Sequence, residues 1–271
     1  MVKLIYPLVC LKQILTMKTK LLFILSLIFF SYTVSNAQTV DDIIVSHLKA
    51  TGGVEKWASI NSMKMTGNID IAPGMKAPFI MYFKDKNKFR FELEVQGLTM
   101  ILALDNDSGW SIIPFSGKTD PERMSPEEIK SSKQQADFTG DLYNYKQKEN
   151  LVEYLGTEDM EGTETFKLKV TRKNNDITYM YLDTESYLSL KETSKVMMQD
   201  KEIESVTLPS NYKDVEGLKF AFSMELRGSD EASGGQTMNI ETLVLNPKVS
   251  DELFKMPAVT SAVQPALEEV K

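Results

Sequence analysis

Apolar residues near position 40 recur at helical spacing. Val40, Ile43, Ile44 and Leu48, with His47 among them, fall at i, i+3, i+4, i+7 and i+8 and form one stripe. Thr39 stands at the N-cap with Asp42 three residues on, the pattern of a capping box. Gly52–Gly53 ends the helix, because glycine enters the left-handed position after a helix without strain. A short turn through Trp57 and Ile60 follows. From residue 63 the period changes to two. Met63, Met65, Ile69 and Ile71 alternate with polar residues, and Phe79, Met81 and Phe83 make the next strand. The cleanest run is 88–95, with Phe89, Phe91, Leu93 and Val95 on one face and Lys88, Arg90, Glu92 and Glu94 on the other. Met100, Leu102 and Leu104 follow, then Trp110 and Ile112. One wet and one dry face is the signature of antiparallel strands.

Residues 116–148 break the alternation. Asp120–Pro121 and Ser125–Pro126 each place proline at a first helical position behind an N-cap residue, and Ser125 with Glu128 forms a second capping box. The helix predicted over 126–136 is polar except for Ile129 and Ala136, so it buries little and is loosely held. Leu142, Tyr143 and Tyr145 form a more apolar segment after it. Strands resume at Leu151–Leu155, Phe166, Leu168 and Val170, and continue to Leu245 around an acidic turn at 158–162. Roughly ten to eleven strands at the spacing of a meander predict one large sheet or barrel in a single domain.

Composition narrows the function. The chain has 271 residues, a net charge of −7, 42% hydrophobic and 25% charged residues, one Cys and one His. These values suit a folded domain and exclude a disordered chain or a multi-span membrane protein. A Cys/His zinc site and a Ser–His–Asp triad need residues this chain mostly lacks. Met17, Lys18, Lys20, the apolar run 21–30 and the small residues Ser35 and Ala37 read as a signal peptide, with Met17 the true start and cleavage between Ala37 and Gln38. Removing residues 1–37 takes away four lysines and Cys10, leaving a thiol-free chain of charge −11. Such a protein is a poor partner for nucleic acid or an anionic membrane. The tail 258–271 reads as flexible.

No chemistry-bearing motif stands out. G-x-S-x-G, G-x-G-x-x-G and P-loop patterns are missing from the sequence. His47 sits on the apolar stripe and reads as structural. Asp105–Gly109 resembles the start of a calcium loop, but its glycine comes one position early and Ser116 stands where the bidentate Glu belongs, so it reads as a turn. The acids at 158–164 read as a solvated hairpin tip. Methionine and aromatic side chains are concentrated on one strand face, and methionine adapts to floppy apolar partners. One helix about 10 Å wide covers about two strands spaced ~4.8 Å apart. The rest of the dry face needs the 116–148 segment as a lid. The candidate cavity residues are Met63, Met65, Phe79, Met81, Phe83, Phe89, Phe91, Leu93, Met100, Leu102, Trp110, Ile112, Phe166 and Leu168, with Ile129, Leu142, Tyr143 and Tyr145 on the lid. No cofactor, metal or enzymatic activity is expected.

The run Lys84–Arg90, the turn Asp105–Gly109 with Trp110, and Pro114–Phe115 resemble the LolA/LolB-type lipoprotein carriers. Val249–Pro257 resembles that family's ending, and Thr51–Gly52–Gly53 with Trp57 is similar to Bacteroidetes versions. The resemblance implies a mainly β fold: one antiparallel sheet curved into an unclosed half barrel, with helices over the apolar concave face. It further implies a periplasmic carrier of lipoprotein acyl chains on the way to the outer membrane. Its partners would be an inner-membrane releasing complex and an outer-membrane receptor, and the carrier itself would be a monomer without stable membrane insertion. The family's receptor is lipidated on Cys, so a thiol-free chain matches the carrier. Where the family has a lid-latching arginine and a proline, this chain has Asp85 and Lys86. An acid cannot donate to a lid carbonyl, so the resemblance leaves Lys84, Lys86 or Arg90 as the latch. A binder or sensor of another lipid on the same fold is the alternative, and a hydrolase is disfavoured.

Overall fold

In the computed structural model the described residues are 38–198, 201–228 and 235–258. The leader expected over 1–37 and nearly all of the expected tail lie outside them. Two helices open the described chain, α1 (Val40–Ala50) and α2 (Val54–Ala58). Six strands follow: β1 (Ser62–Ala72), β2 (Met75–Lys84), β3 (Lys88–Val95), β4 (Leu98–Asp105), β5 (Ser108–Ile113) and β6 (Lys118–Arg123). Helix α3 (Pro126–Ala136) and a turn-rich segment lead to seven more: β7 (Leu151–Met160), β8 (Thr163–Thr171), β9 (Ile177–Asp183), β10 (Ser189–Met198), β11 (Lys201–Val215), β12 (Leu218–Gly228) and β13 (Gln236–Leu245).

All thirteen strands form one antiparallel sheet in the order β6-β5-β4-β3-β2-β1-β13-β12-β11-β10-β9-β8-β7. It is two meanders joined where β1 pairs β13, and β6 and β7 are its unpaired edges. The sequence undercounted the strands, and β6 is the clearest omission. Apart from Pro121 its residues Lys118–Arg123 are polar or charged, and Asp120–Pro121 lies in this strand rather than at a helix start. Proline is tolerated there because an edge strand need not offer every N–H to a neighbour.

The order of strands dictates a lid. The chain leaves one edge at β6 and must enter the opposite edge at β7, so the connection 124–150 crosses the mouth of the sheet. The sheet is strongly curled. Lys133 of α3 donates to Asp107 in the β4–β5 turn at 2.5 Å, and Lys130 donates to Asp176 in the β8–β9 turn at 3.1 Å. Strands β4 and β9 are eight spacings apart in the sheet order, about 38 Å if flat. Residues three apart on a helix are separated by only ~4.5 Å along its axis, so only a rolled sheet lets one helix reach both turns.

Both predicted capping boxes form. The Thr39 hydroxyl accepts from the Asp42 amide while the Asp42 carboxylate accepts from the Thr39 amide, and Ser125 with Glu128 repeats the arrangement. Gly52 has φ +121°, and a Cβ there would stand 2.5 Å from the Gly217 carbonyl, so glycine both ends α1 and admits the β11–β12 turn. Ile43 and Ile44 of α1 bury against Val152, Phe166, Leu168, Val170 and Leu182. A second cluster holds Met63, Ile69, Phe79, Phe83, Phe89 and Leu104 with Trp57, Phe220 and Phe222. Leu48 packs against both.

Candidate functional site

Strand register places the apolar residues of β1–β4 in rows across the concave face. Met63, Phe83, Phe89 and Leu104 form one row, and Met65, Met81, Phe91 and Leu102 the next. Leu93 and Met100 continue beside Phe79. The rows differ in depth. Phe89 is 1% exposed and Leu104 fully buried, with Phe138 of the lid segment edge-on to Phe83 at 5.9 Å. Met65, Met81, Phe91, Leu93, Met100 and Leu102 are only half-buried. The result is a sealed apolar floor at one end and a partly open apolar trough at the other.

The lid is anchored by polar contacts as well as by packing. Besides the two lysine contacts of α3, Gln134 donates to Asp176 at 2.7 Å, and Arg172, just past the end of β8, grips Asp141 with two bonds of 2.7 and 2.8 Å. Tyr145 donates to Asp41 of α1. Leu142 and Tyr143 are adjacent and both buried, yet Leu142 joins the α1 cluster and Tyr143 the Met/Phe cluster. This pair plugs the seam between the two halves. Ile129 is half-buried at the margin, and Ala136 is fully buried.

Of the three latch candidates, only Lys86 meets the lid. Its ammonium lies 5.1 Å from the centre of the Tyr143 ring, a cation–π contact. Asp85 and Lys86 both have positive φ, and the Asp85 amide donates to the Asn61 carbonyl at 2.7 Å, which fixes the turn that presents the lysine. Lys84 and Arg90 project from the opposite, convex face. Lys84 donates to the Val249 carbonyl and Asp251, Lys88 also bonds Asp251, and Arg90 donates to the Leu253 carbonyl. The two lysines lower the Asp251 pKa to about 2, with the Lys88 hydrogen bond the larger cause.

Two cavity candidates also lie on the convex side. Trp110 pairs with Ala103 and Ile112 with Ile101, positions out of phase with Phe89 and Phe91. The Trp110 indole donates to the Phe254 carbonyl at 2.8 Å and carries the Arg90 guanidinium 5.3 Å from its ring centre. Trp110 thus docks the C-terminal segment, while Gly109 and Ser111 occupy the concave positions of β5. A Cβ on Gly109 would meet the Met124 sulfur at 2.5 Å, so glycine makes room for Met124, a buried residue that sequence reasoning did not select. Phe166 and Leu168 are concave but belong to the α1-covered half, away from the trough. Asp105–Gly109 spans the β4–β5 hairpin, with Asn106 and Asp107 as its turn, and the acids at 158–164 lie at the β7–β8 hairpin.

Among the described residues, cavities border the lid. One of about 290 Å³ lies between α3 and Leu102 with Met124. A larger one of about 640 Å³ is walled by α3, the 137–150 segment, Arg172 and Glu192. A third of about 240 Å³ is walled by Leu142, Phe220, Met224, His47, Tyr212 and Glu192. In this half the concave row reads Leu168, Met180, Glu192, Thr207, so the apolar stretch ends at Met180 and a carboxyl group follows it. Burial raises the Glu192 pKa, opposed in part by a hydrogen bond from Ser189, and it also raises that of the Tyr212 hydroxyl. Burial lowers the His47 pKa, with its Nδ1 donating to the Tyr187 carbonyl at 2.7 Å. Glu192 was missed because it lies in Lys191–Lys195, a polar run that resembles a wet face.

The fold has solved counterparts. A DUF1329 family protein from Desulfovibrio piger matches with a TM-score of 0.52 and 14% identity, over 80% of this chain and 97% of that one. A LolA superfamily protein from Nitrosomonas europaea matches with a TM-score of 0.53 and 10% identity, over 78% of this chain and 96% of that one. No family model matches the chain, and no curated protein matches it in sequence. At these identities the likeness speaks to the fold, which is the LolA-type unclosed sheet anticipated above. Among the described residues no helix is long and apolar enough to cross a membrane.

Proposed function

We propose that this chain is an exported, non-enzymatic carrier that shields acyl chains, in particular those of lipoproteins moving through the periplasm towards the outer membrane. The single observation that carries this reading is the half-buried trough of Met65, Met81, Phe91, Leu93, Met100 and Leu102 beneath a lid whose helix is tied down by polar contacts. An apolar row left partly open beneath a lid is the arrangement expected of a site that trades water for alkyl chains. Methionine at two adjacent positions of the row, Met65 and Met81, suits chains of varied shape. The LolA-type fold agrees with this use. The leader read from the sequence supplies the route of export.

Native mass spectrometry of the protein taken from the cell envelope of its own host tests the reading. Co-purifying acylated lipoprotein is the expected result. Free lipid alone would favour a lipid binder or sensor, and preparations free of any acylated species at stoichiometric yield would overturn the carrier.

A further inference from the structure

The concave face is built in two chemically different halves. Across β1–β4 its rows are wholly apolar, but across β8–β11 Glu192 stands between Met180 and Thr207. Ser189 Oγ, at 3.1 Å, is its one hydrogen-bond partner among the described residues. The Ser189 carbonyl is itself taken by the Tyr212 hydroxyl at 2.9 Å. A carboxyl group has room for about four hydrogen bonds, so most of its capacity is open. Glu192 also lines both the 640 Å³ and the 240 Å³ cavity, which share Gly140, Asp141 and Met180 as walls. The larger cavity falls within the range of small-ligand sites, about 300–1,000 Å³. The two cavities therefore abut at Glu192.

We propose that Glu192 marks a polar subsite that receives the uncharged, hydrogen-bonding end of an acylated ligand, an ester, amide or hydroxyl-bearing head, and discriminates against anionic heads. This deepens the carrier reading and rests on it. The discrimination follows from how the nearby charges are arranged. Four cations line the larger cavity, and each is already committed: Lys130 to Asp176, Lys133 to Asp107, Lys148 to Asp137, and Arg172 to Asp141 with two bonds. A phosphate or carboxylate would have to share one of these cations with the carboxylate already on it and would stand beside Asp141 and Glu192, so repulsion from these carboxyl groups opposes an anionic head. Lys219 reaches the smaller cavity from an exposed position, where water screens it. Burial favours the protonated form of Glu192, in which the group both donates and accepts and so matches an ester or a hydroxyl.

The test is displacement of a fluorescent acyl probe from the full chain by three competitors with the same palmitoyl chain: monopalmitoylglycerol, palmitate and palmitoyl lysophosphatidate. The uncharged competitor should bind at least about ten-fold more tightly than either anion. Glu192→Leu should narrow the ratio at least about three-fold, because the site then loses its hydrogen-bonding partner for the uncharged head, and Glu192→Gln, which keeps a donor and an acceptor, should preserve it. Should Glu192→Leu fail to fold, the wild-type ratio and Glu192→Gln still decide. A wild-type protein that never takes up the probe defeats the acyl-carrier reading itself. Probe uptake with the anions bound as tightly as the glyceride, or a ratio unchanged in Glu192→Leu, overturns the subsite and leaves the carrier standing.

Discussion

Replacing Phe91 with alanine should weaken acyl binding far more than it weakens the fold, and Phe89→Ala should do the reverse. The two rings stand two residues apart on β3 and face the same side of the sheet. Phe89 is 1% exposed, tilted against Phe83 at 5.2 Å and set opposite Leu104. Its removal leaves a closed cavity, so the expected loss is about 3–5 kcal/mol. Phe91 is half-buried, with Phe79 at 6.3 Å on one side and the trough on the other. Part of its surface already faces water and the void left by alanine opens outward, so its loss should be about 1–2 kcal/mol. For a chain of this size each kcal/mol moves Tm by about 2–4 °C. Phe89→Ala should therefore lower Tm by roughly 6–20 °C and Phe91→Ala by roughly 2–8 °C. Urea melts supply the free energies, and titration with a fluorescent fatty-acyl probe supplies affinity. Phe91→Ala should weaken the probe several-fold, since the ring lends it contact area, while Phe89→Ala below its melting range should bind nearly as wild type. Equal stability losses, or a Phe91→Ala protein that binds the probe unchanged, would refute the division of the face into floor and trough.

The lid and the charged groups yield three further expectations. Hydrogen exchange should show faster amides in α3 than in β3, and Lys86→Ala, which loses the Tyr143 ring contact worth about 0.5–1 kcal/mol, should speed exchange of the 137–148 segment two- to five-fold; a lid as slow as the strands contradicts this. Arg172→Ala strands Asp141 at the lid and should cost about 1–3 kcal/mol, partly restored in Arg172→Ala/Asp141→Asn; a double variant no better than the single would argue against the pair. His47 has a folded pKa below its unfolded value of ~6.5, so the unfolded chain binds more protons, and stability is lost as pH falls from about 6.5 through the folded pKa. Melts of His47→Gln from pH 8 to pH 5 should be flatter than wild type, and parallel curves would remove the histidine from the acid response.

Much of the fold was legible because periodicity reports on pairs of residues that share a face. The strands of the Met/Phe half, α1, and α3 with its capping box follow directly from it. Periodicity does not say which face is concave after a tight turn. Across the Asp105–Ser108 hairpin the apolar residues Trp110 and Ile112 carry the alternation on the convex face, while the concave positions hold Gly109 and Ser111, which give no apolar signal. Strand β6 was illegible for a related reason: an edge strand of Lys, Thr, Asp, Pro, Glu and Arg buries too little to leave a pattern. The latch is a third case. Lys84, Lys86 and Arg90 are alike as sequence, and only the left-handed turn at Asp85–Lys86 sends one of them to the lid. Glu192 and Met124 became visible only when register placed one on a concave row and glycine opened space for the other.

Photolabelling bears most directly on the central claim. A palmitoyl probe with a diazirine near the chain end, irradiated on the full-length protein and mapped by peptide mass spectrometry, should label β1–β4 at Met65, Met81, Phe91 or Leu102, and unlabelled acyl competitor should suppress the labelling. Label confined to the convex face, or spread over the surface and indifferent to competitor, would contradict an acyl site on the concave sheet.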